Sequence, residues 1–371
     1  LRHPPARGLL WADHADALVE RGGADAQLLV TPMIPRAVVL VSQASTLREG
    51  TAMLERALEL SSSVTPPDEL SMRTIRGNLA AAYAMQGEHA RTLSILDEVI
   101  ADTEREQGPH HPELASYLGN YASALVATDR LDEALTMLER ALAIRVDVVG
   151  PEHLDVAGIH AALGQYLLLD GQLDEAEQHL RLALELSREH GTEIDQAEVM
   201  VRLANLQSQR ERRGEARNLY REALGIFERE APDHPFIATT MANLAEEAIV
   251  LRDWEQVLAW AGRSLAEYEQ SLGLAHPQLH GPLYNMGQAH RELGQLSESV
   301  RALERSLALV GPDQPVVEAD TSMQLAYTLW EQGQERPRAR ALAEQARARY
   351  EQAGVPDKTA AAAAWLSAHR P

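Results

Sequence analysis

Apolar side chains recur along this chain at two levels. At the short level they fall three and four residues apart. Leu114, Leu118, Tyr121, Ala122 and Leu125 make one stripe, Ala134, Leu135, Leu138, Ala141 and Leu142 a second, and Asp129 with Arg130 marks a turn between them. That spacing puts each stripe on one face of an α-helix, so the pair forms an antiparallel helical hairpin. At the long level the whole phrase returns. The small residue opening the second stripe is Thr92, Ala134, Ala176, Ala216, Val257, Ser299 and, after one inserted residue, Ala339, at spacings of 42, 42, 40, 41, 42 and 40. Such a period marks a solenoid, in which each unit buries its apolar faces only against its neighbours.

A second series of small residues, Ala80, Ala122, Gly164, Ala204, Ala245, Gly287 and Ala326, sits on the first helix of each copy, where the two helices must cross closely. Gly87, Gly171, Gly294 and Gly333 mark the hairpin turn, since glycine ends a helix at positive φ without a Cβ penalty. Between copies stand GPHHP (108–112), GPEHL (150–154), APDHP (231–235), GLAHP (273–277) and GPDQP (311–315). Proline there suits both a helix exit and the first turn of the next helix, so these loops read as punctuation.

Phrases such as NLAAAYAMQGEHARTLSILDEVI from Asn78, NYASALVATDRLDEALTMLERALAI from Asn120 and NMGQAHRELGQLSESVRALERSLAL from Asn285 resemble the tetratricopeptide repeat. The resemblance is to its long form of about 42 residues, as in kinesin light chains and bacterial multidomain regulators, and covers residues 66 to 351 in register. It implies an all-α fold, a right-handed superhelical solenoid of helix-turn-helix repeats, seven clear copies preceded by a degenerate one. Residues 1–65 are expected to hold an N-terminal capping helix and the degenerate repeat, 66–351 the array, and 352–371 a C-terminal capping helix bearing Trp365 and Leu366. The capping helix at the start is read from Pro5 to Arg21. Arg48–Ser63 supplies the second helix of the degenerate repeat. Its first helix carries Pro32 and Pro35 and is expected to begin near Pro35, because proline inside a helix removes a backbone bond.

Composition agrees with an all-helical chain: 45% of residues are apolar, and only two are Phe. Zero Cys excludes disulfides and thiolate metal sites. With no apolar run of the ~18 residues a membrane span needs and no secretory pattern at the start, cytoplasmic residence is the default expectation. Because the sequence does not begin with Met, it reads as part of something longer or as a processed chain. The formal charge of −21 argues against nucleic acid and favours a basic or neutral partner.

In the tetratricopeptide family the first helices line the concave surface, which implies where a partner sits. One series along that surface is Asn78, Asn120, Asn243 and Asn285, replaced elsewhere by Ala162, Arg202 and Gln324. An amide offers a donor and an acceptor to an extended peptide backbone, or it ties neighbouring helices together. A helical step onward come Gln165, Asn205, Glu246, Gln288 and Tyr327, and beyond them Leu168, Arg291 and Trp330. Leu167, Leu168 and Leu169 make their helix apolar all round, which predicts burial on more than one face. Met85, Val126 and Leu169 make the N-terminal half of this surface apolar, whereas Glu246, Arg291, Glu292, Trp330 and Glu331 make the other half polar and aromatic. A partner segment with an apolar part and a basic part would be oriented by that difference.

The chain has no phosphate-cradling GxxxxGK[ST], no HExxH, no GxSxG and no Cys nucleophile, so no catalytic residue, metal site or cofactor is assigned. His276 and His280 stand four apart but lack a nearby third His on their face, and a structural or solvent-facing role is expected for both. Two readings remain. One is a non-catalytic scaffold that holds a protein or peptide segment. The other is a regulatory or sensory part of a larger signalling enzyme, such as a bacterial serine/threonine kinase or a nucleotide-switching ATPase.

Overall fold

The computed structural model describes residues 26–41, 46–63, 68–311, 314–333 and 335–369. The helix read from Pro5 to Arg21 lies outside them. The fold is all-α and divides into two compact units, Leu1–His190 and Gly191–Pro371. The first unit holds α1 (Ala26–Val41), α2 (Leu47–Ser63), α3 (Glu69–Met85), α4 (His89–Gln107), α5 (Pro112–Val126), α6 (Leu131–Val149), α7 (Leu154–Leu169) and α8 (Leu173–His190). The second holds α9 (Glu193–Gln209), α10 (Arg213–Glu230), α11 (Phe236–Val250), α12 (Trp254–Leu272), α13 (His280–Glu292), α14 (Leu296–Leu307), α15 (Pro315–Gln332), α16 (Arg336–Gln352) and α17 (Pro356–Ala368). Within each unit consecutive helices pair as hairpins and the hairpins stack.

Small residues set the spacing inside each hairpin. Both series are buried in every copy, from Ala80 and Thr92 to Ala326 and Ala339. At Gly164 and Gly287 the requirement is strict: a Cβ would stand 2.5 Å from Cγ of Leu180 and of Leu303, respectively. Where the second-helix residue carries a hydroxyl, it is satisfied across the crossing. Ser299 Oγ donates to the Gly287 carbonyl at 2.7 Å, and Thr92 Oγ1 lies 3.4 Å from the Ala80 carbonyl. The degenerate repeat follows the same rule with Gly50, whose added Cβ would meet the Val41 nitrogen at 2.7 Å and the Ala37 carbonyl oxygen at 2.9 Å.

The expectation that α1 begins near Pro35 is corrected: the helix runs from Ala26, with Pro32 and Pro35 inside it. Each proline removes one backbone donor. The loss is offset by burial of Val30, Ala37, Leu40 and Val41, three of which join Leu54 and Ala57 of α2 in one core cluster.

The hairpin turn places one residue at positive φ in every clear repeat. Gly87, Gly171, Gly294 and Gly333 do so as expected, at φ 73–80°, and Asp129, Glu211 and Arg252 occupy the same place at 58°, 61° and 55°. The inter-repeat loops also do more than punctuate. His111, His153, His234 and His276 each turn Nδ1 onto the backbone N–H two residues ahead, at 3.4, 3.1, 3.3 and 3.3 Å. They thereby cap the entry to the next first helix, meeting a donor that has no partner within the helix.

Second helices of successive repeats are linked by a ladder of ion pairs. Arg140 meets Glu104 at 2.5 Å in the first unit. In the second unit Arg263 meets Glu228, Arg305 meets Glu269 at 2.5 Å, and Arg338 meets Glu304 at 2.6 Å. These half-exposed pairs contribute ~0–1 kcal/mol each and account for part of the chain's carboxylate content.

Candidate functional site

First helices touch one another directly from α1 through α3 to α5 in the first unit and from α9 through α11 and α13 to α15 in the second, so their side chains form a row within each unit. In the first unit Asn78 and Leu168 are half-buried, while Asn120 and Gln165 are exposed. The apolar character expected here is present in Met85 and Leu169, 56% and 61% exposed. Burial of α7 on more than one face is observed: Val156 and Ala157 join Leu186 in one core cluster, Leu163 joins Ala122 and Leu125 in another, Leu167 is buried and Leu168 half-buried, while Leu169 at the hairpin tip is exposed.

In the second unit the row is polar and partly engaged with itself. Asn205 Oδ1 accepts from the Tyr220 hydroxyl at 2.6 Å and from Asn243 Nδ2 at 2.9 Å, so this pair of amides ties α9 to α11. One turn further along, Glu247 is 1% exposed. Its Oε1 accepts from Ser208 Oγ at 2.5 Å and from Arg213 Nη1 at 2.8 Å, and its Oε2 has no partner. A buried carboxylate of this kind depends on its single cation. Beside it, desolvation and then repulsion from Glu247 push the Glu246 carboxyl above the usual range. The Tyr220 hydroxyl is pushed up chiefly by burial, then by Glu247 and Glu246. Asn285 is buried, and Gln288 half-buried.

Arg291, Tyr327 and Trp330 converge at the far end of this row. Arg291 lies over the Tyr327 ring at 5.2 Å, and its Nε and Nη2 donate to Glu331 Oε1 at 3.0 and 2.6 Å. The terminal helix α17 completes the arrangement. The Trp365 ring meets Trp330 edge-on at 5.7 Å and Tyr327 at 5.7 Å, and His369 stacks on Trp365 at 4.3 Å. Together with Ala361, Ala364 and Ala368 these residues line an open cavity of about 490 Å³. The sequence pattern assigns α17 only a capping role. The signal was the spacing of Ala361, Ala364, Trp365, Ala368 and His369, which share one helical face.

The start of α17 is held by Lys358, the only lysine of the chain, whose Nζ donates to both oxygens of Asp320 at 2.8 and 2.7 Å. The Tyr350 hydroxyl donates to the same carboxylate at 2.7 Å. His276 and His280 do not face a common ligand position: His276 caps a helix entry, and His280 Nε2 pairs with Thr321 Oγ1 at 2.9 Å. Among the described residues no group of three His, Cys, Asp or Glu side chains is placed to hold a metal, and no helix is long and apolar enough to cross a membrane.

A stack of helical hairpins with a row of first helices and small crossing residues defines an α-helical repeat protein. Tetratricopeptide repeat profiles match residues 71–145 and 118–189, 197–236, and 281–309, and the chain belongs to the tetratricopeptide repeat family. Its fold is similar to that of BtubC from P. vanneervenii, with 20% identity over 60% of this chain and 92% of that one and a TM-score of 0.53. It is also similar to a signal transduction ATPase with numerous domains carrying a tetratricopeptide repeat sensor, from Pyrococcus horikoshii. There the identity is 12%, the TM-score 0.62, and the match covers 97% of this chain but 55% of that protein. A Rap protein complexed with competence and sporulation factor matches at 12% identity over 92% of this chain and 97% of that one, with a TM-score of 0.58. No curated protein sequence matches the chain.

Proposed function

We propose that this chain is a non-catalytic scaffold that binds an extended protein or peptide segment on the faces that the first helices form within each unit. The supporting observation is the chemical character of the first-helix face in each unit taken by itself. The first presents exposed Met85 and Leu169 beside the exposed amides Asn120 and Gln165, and the second presents Glu246, Glu331 and the aromatic rings Tyr327 and Trp330. The first face suits an apolar segment and the second a basic one. Asn205 and Asn243 hold neighbouring helices together in this reading, Asn285 is buried and left out of the face, and Asn78, Asn120, Gln165, Leu168, Gln288 and Arg291 make up the rest of it.

The test is retention of a partner from a lysate of the source cell by the wild-type chain and by an Asn120→Trp/Gln288→Trp variant of unchanged helicity. Loss of one defined protein in the variant supports the groove. Equal retention would move the binding surface elsewhere and overturn the assignment. A second reading, a sensory part of a larger signalling enzyme, is favoured by the similarity to the signal transduction ATPase that carries a tetratricopeptide repeat sensor. Under that reading the segment bound belongs to the same polypeptide or to its effector.

A further inference from the structure

The cavity at the end of the second unit has a chemistry of its own, because α17 contributes much of its lining. Rings reach it from two helices, Tyr327 and Trp330 from α15 and Trp365 from α17, and a carboxylate, Glu331, stands beside them. We propose that this cavity receives the guanidinium group of an arginine on the bound segment. The proposal rests on the scaffold reading above and names the side chain that the second unit selects.

Three observations carry it. First, aromatic faces attract cations, and flat guanidinium groups stack on them better than a compact, strongly hydrated ammonium does. The chain already uses these rings in that way: Arg291 lies over Tyr327, and Arg336, outside the cavity lining, lies 5.0 Å from the centroid of Trp330. Second, Glu331 has an acceptor to offer. Both bonds from Arg291 go to Oε1, and the side chain is 44% exposed, so Oε2 can accept one N–H of an incoming guanidinium. Third, the lining is held in advance. Arg340 Nη1 donates to the carbonyl oxygens of Leu366, at 3.0 Å, and of His369, and Lys358 fixes the start of α17 on Asp320. A preformed slot needs little ordering when it binds. The charge of −21 over the whole chain adds attraction toward any basic segment.

The experiment is a titration of the ¹⁵N-labelled full chain with N-acetyl-arginine amide, its lysine counterpart and the neutral isostere N-acetyl-citrulline amide. It is read at the indole N–H signals of Trp330 and Trp365, with Trp254 and Trp260 as internal references. Saturable shifts at Trp330 and Trp365 are expected with the arginine probe, about tenfold weaker binding with lysine, and no saturation with citrulline. Ala364→Phe fills the cavity at an exposed position of α17 and should abolish the shifts without unfolding the helix; Glu331→Gln should weaken them about tenfold. Equal response to arginine and citrulline, equal response to arginine and lysine, or unchanged binding in Ala364→Phe overturns the proposal. Partner retention that is lost in the Asn120→Trp/Gln288→Trp variant, together with a silent arginine titration, would sink this inference and leave the scaffold standing.

Discussion

Three repeats hold a non-glycine residue where four others have glycine, and this makes backbone strain measurable in isolation. Glu211 and Arg252 sit at φ 61° and 55° in the turns of two hairpins of the second unit, and both side chains are exposed. A left-handed conformation costs an L-residue roughly 1–2 kcal/mol. Glycine removes that cost but returns about 0.5–1 kcal/mol through the greater freedom of the unfolded chain. Glu211→Gly and Arg252→Gly should therefore each stabilise by ~0.5–1 kcal/mol, and the double variant by ~1–2 kcal/mol if the two turns act independently. For a unit of this size the double change corresponds to a rise in Tm of roughly 2–8 °C. The reverse substitution, Gly294→Ala, places a Cβ at φ 73° with no atom within 4 Å of it, so it introduces backbone strain and no clash. It should lower stability by ~1 kcal/mol. Urea unfolding followed by circular dichroism gives the midpoints, and an unchanged slope shows that the exposed surface is the same. Loss of stability in both glycine variants, or a harmless Gly294→Ala, would refute the reasoning that φ at this position controls the turn.

Gly287→Ala and Gly164→Ala each press a Cβ to 2.5 Å from a buried leucine and should cost ~1–3 kcal/mol, whereas alanine at the uncrowded, helical Gly262 should be neutral or stabilising; equal midpoints for all three would contradict the crossing argument. The buried His160 shares a 2.8 Å Nδ1 to Nδ1 contact with His179, and burial followed by repulsion from His179 lowers its pKa to about 4. Its folded-state value lies below the unfolded one, so its contribution is present above pH ~6.5 and is lost as pH falls toward 4, by up to ~3 kcal/mol. Stability measured from pH 7.5 to 4 should show a decline that is shallower in His160→Gln, and an imidazole titrating near 6.5 by NMR would contradict it.

The period, the hairpin and both series of small residues were legible in the sequence, because a helix repeats every 3.6 residues and a face that must be buried or closely crossed shows itself locally. Four of the seven turns were legible for the same kind of reason: glycine marks positive φ. Asp129 was read as part of a turn without its positive φ, and Glu211 and Arg252 carry no mark at all, since their conformation is imposed by the hairpins on either side. Pro32 and Pro35 argued for a later helix start, and the burial of Val30 and Ala37 outweighed them. The row of first-helix positions could be read from the register. Whether an amide such as Asn243 faces outward or is engaged by Asn205, 38 residues earlier, could not. The histidine caps, the arginine–glutamate ladder and the placing of Trp365 against Trp330 likewise join residues through loop geometry or across successive repeats. The sequence by itself determined which faces must be buried and how often the unit recurs. The tertiary structure alone decided which polar groups meet across the stack and which are left to a partner, because those distances depend on how each hairpin is set against the next.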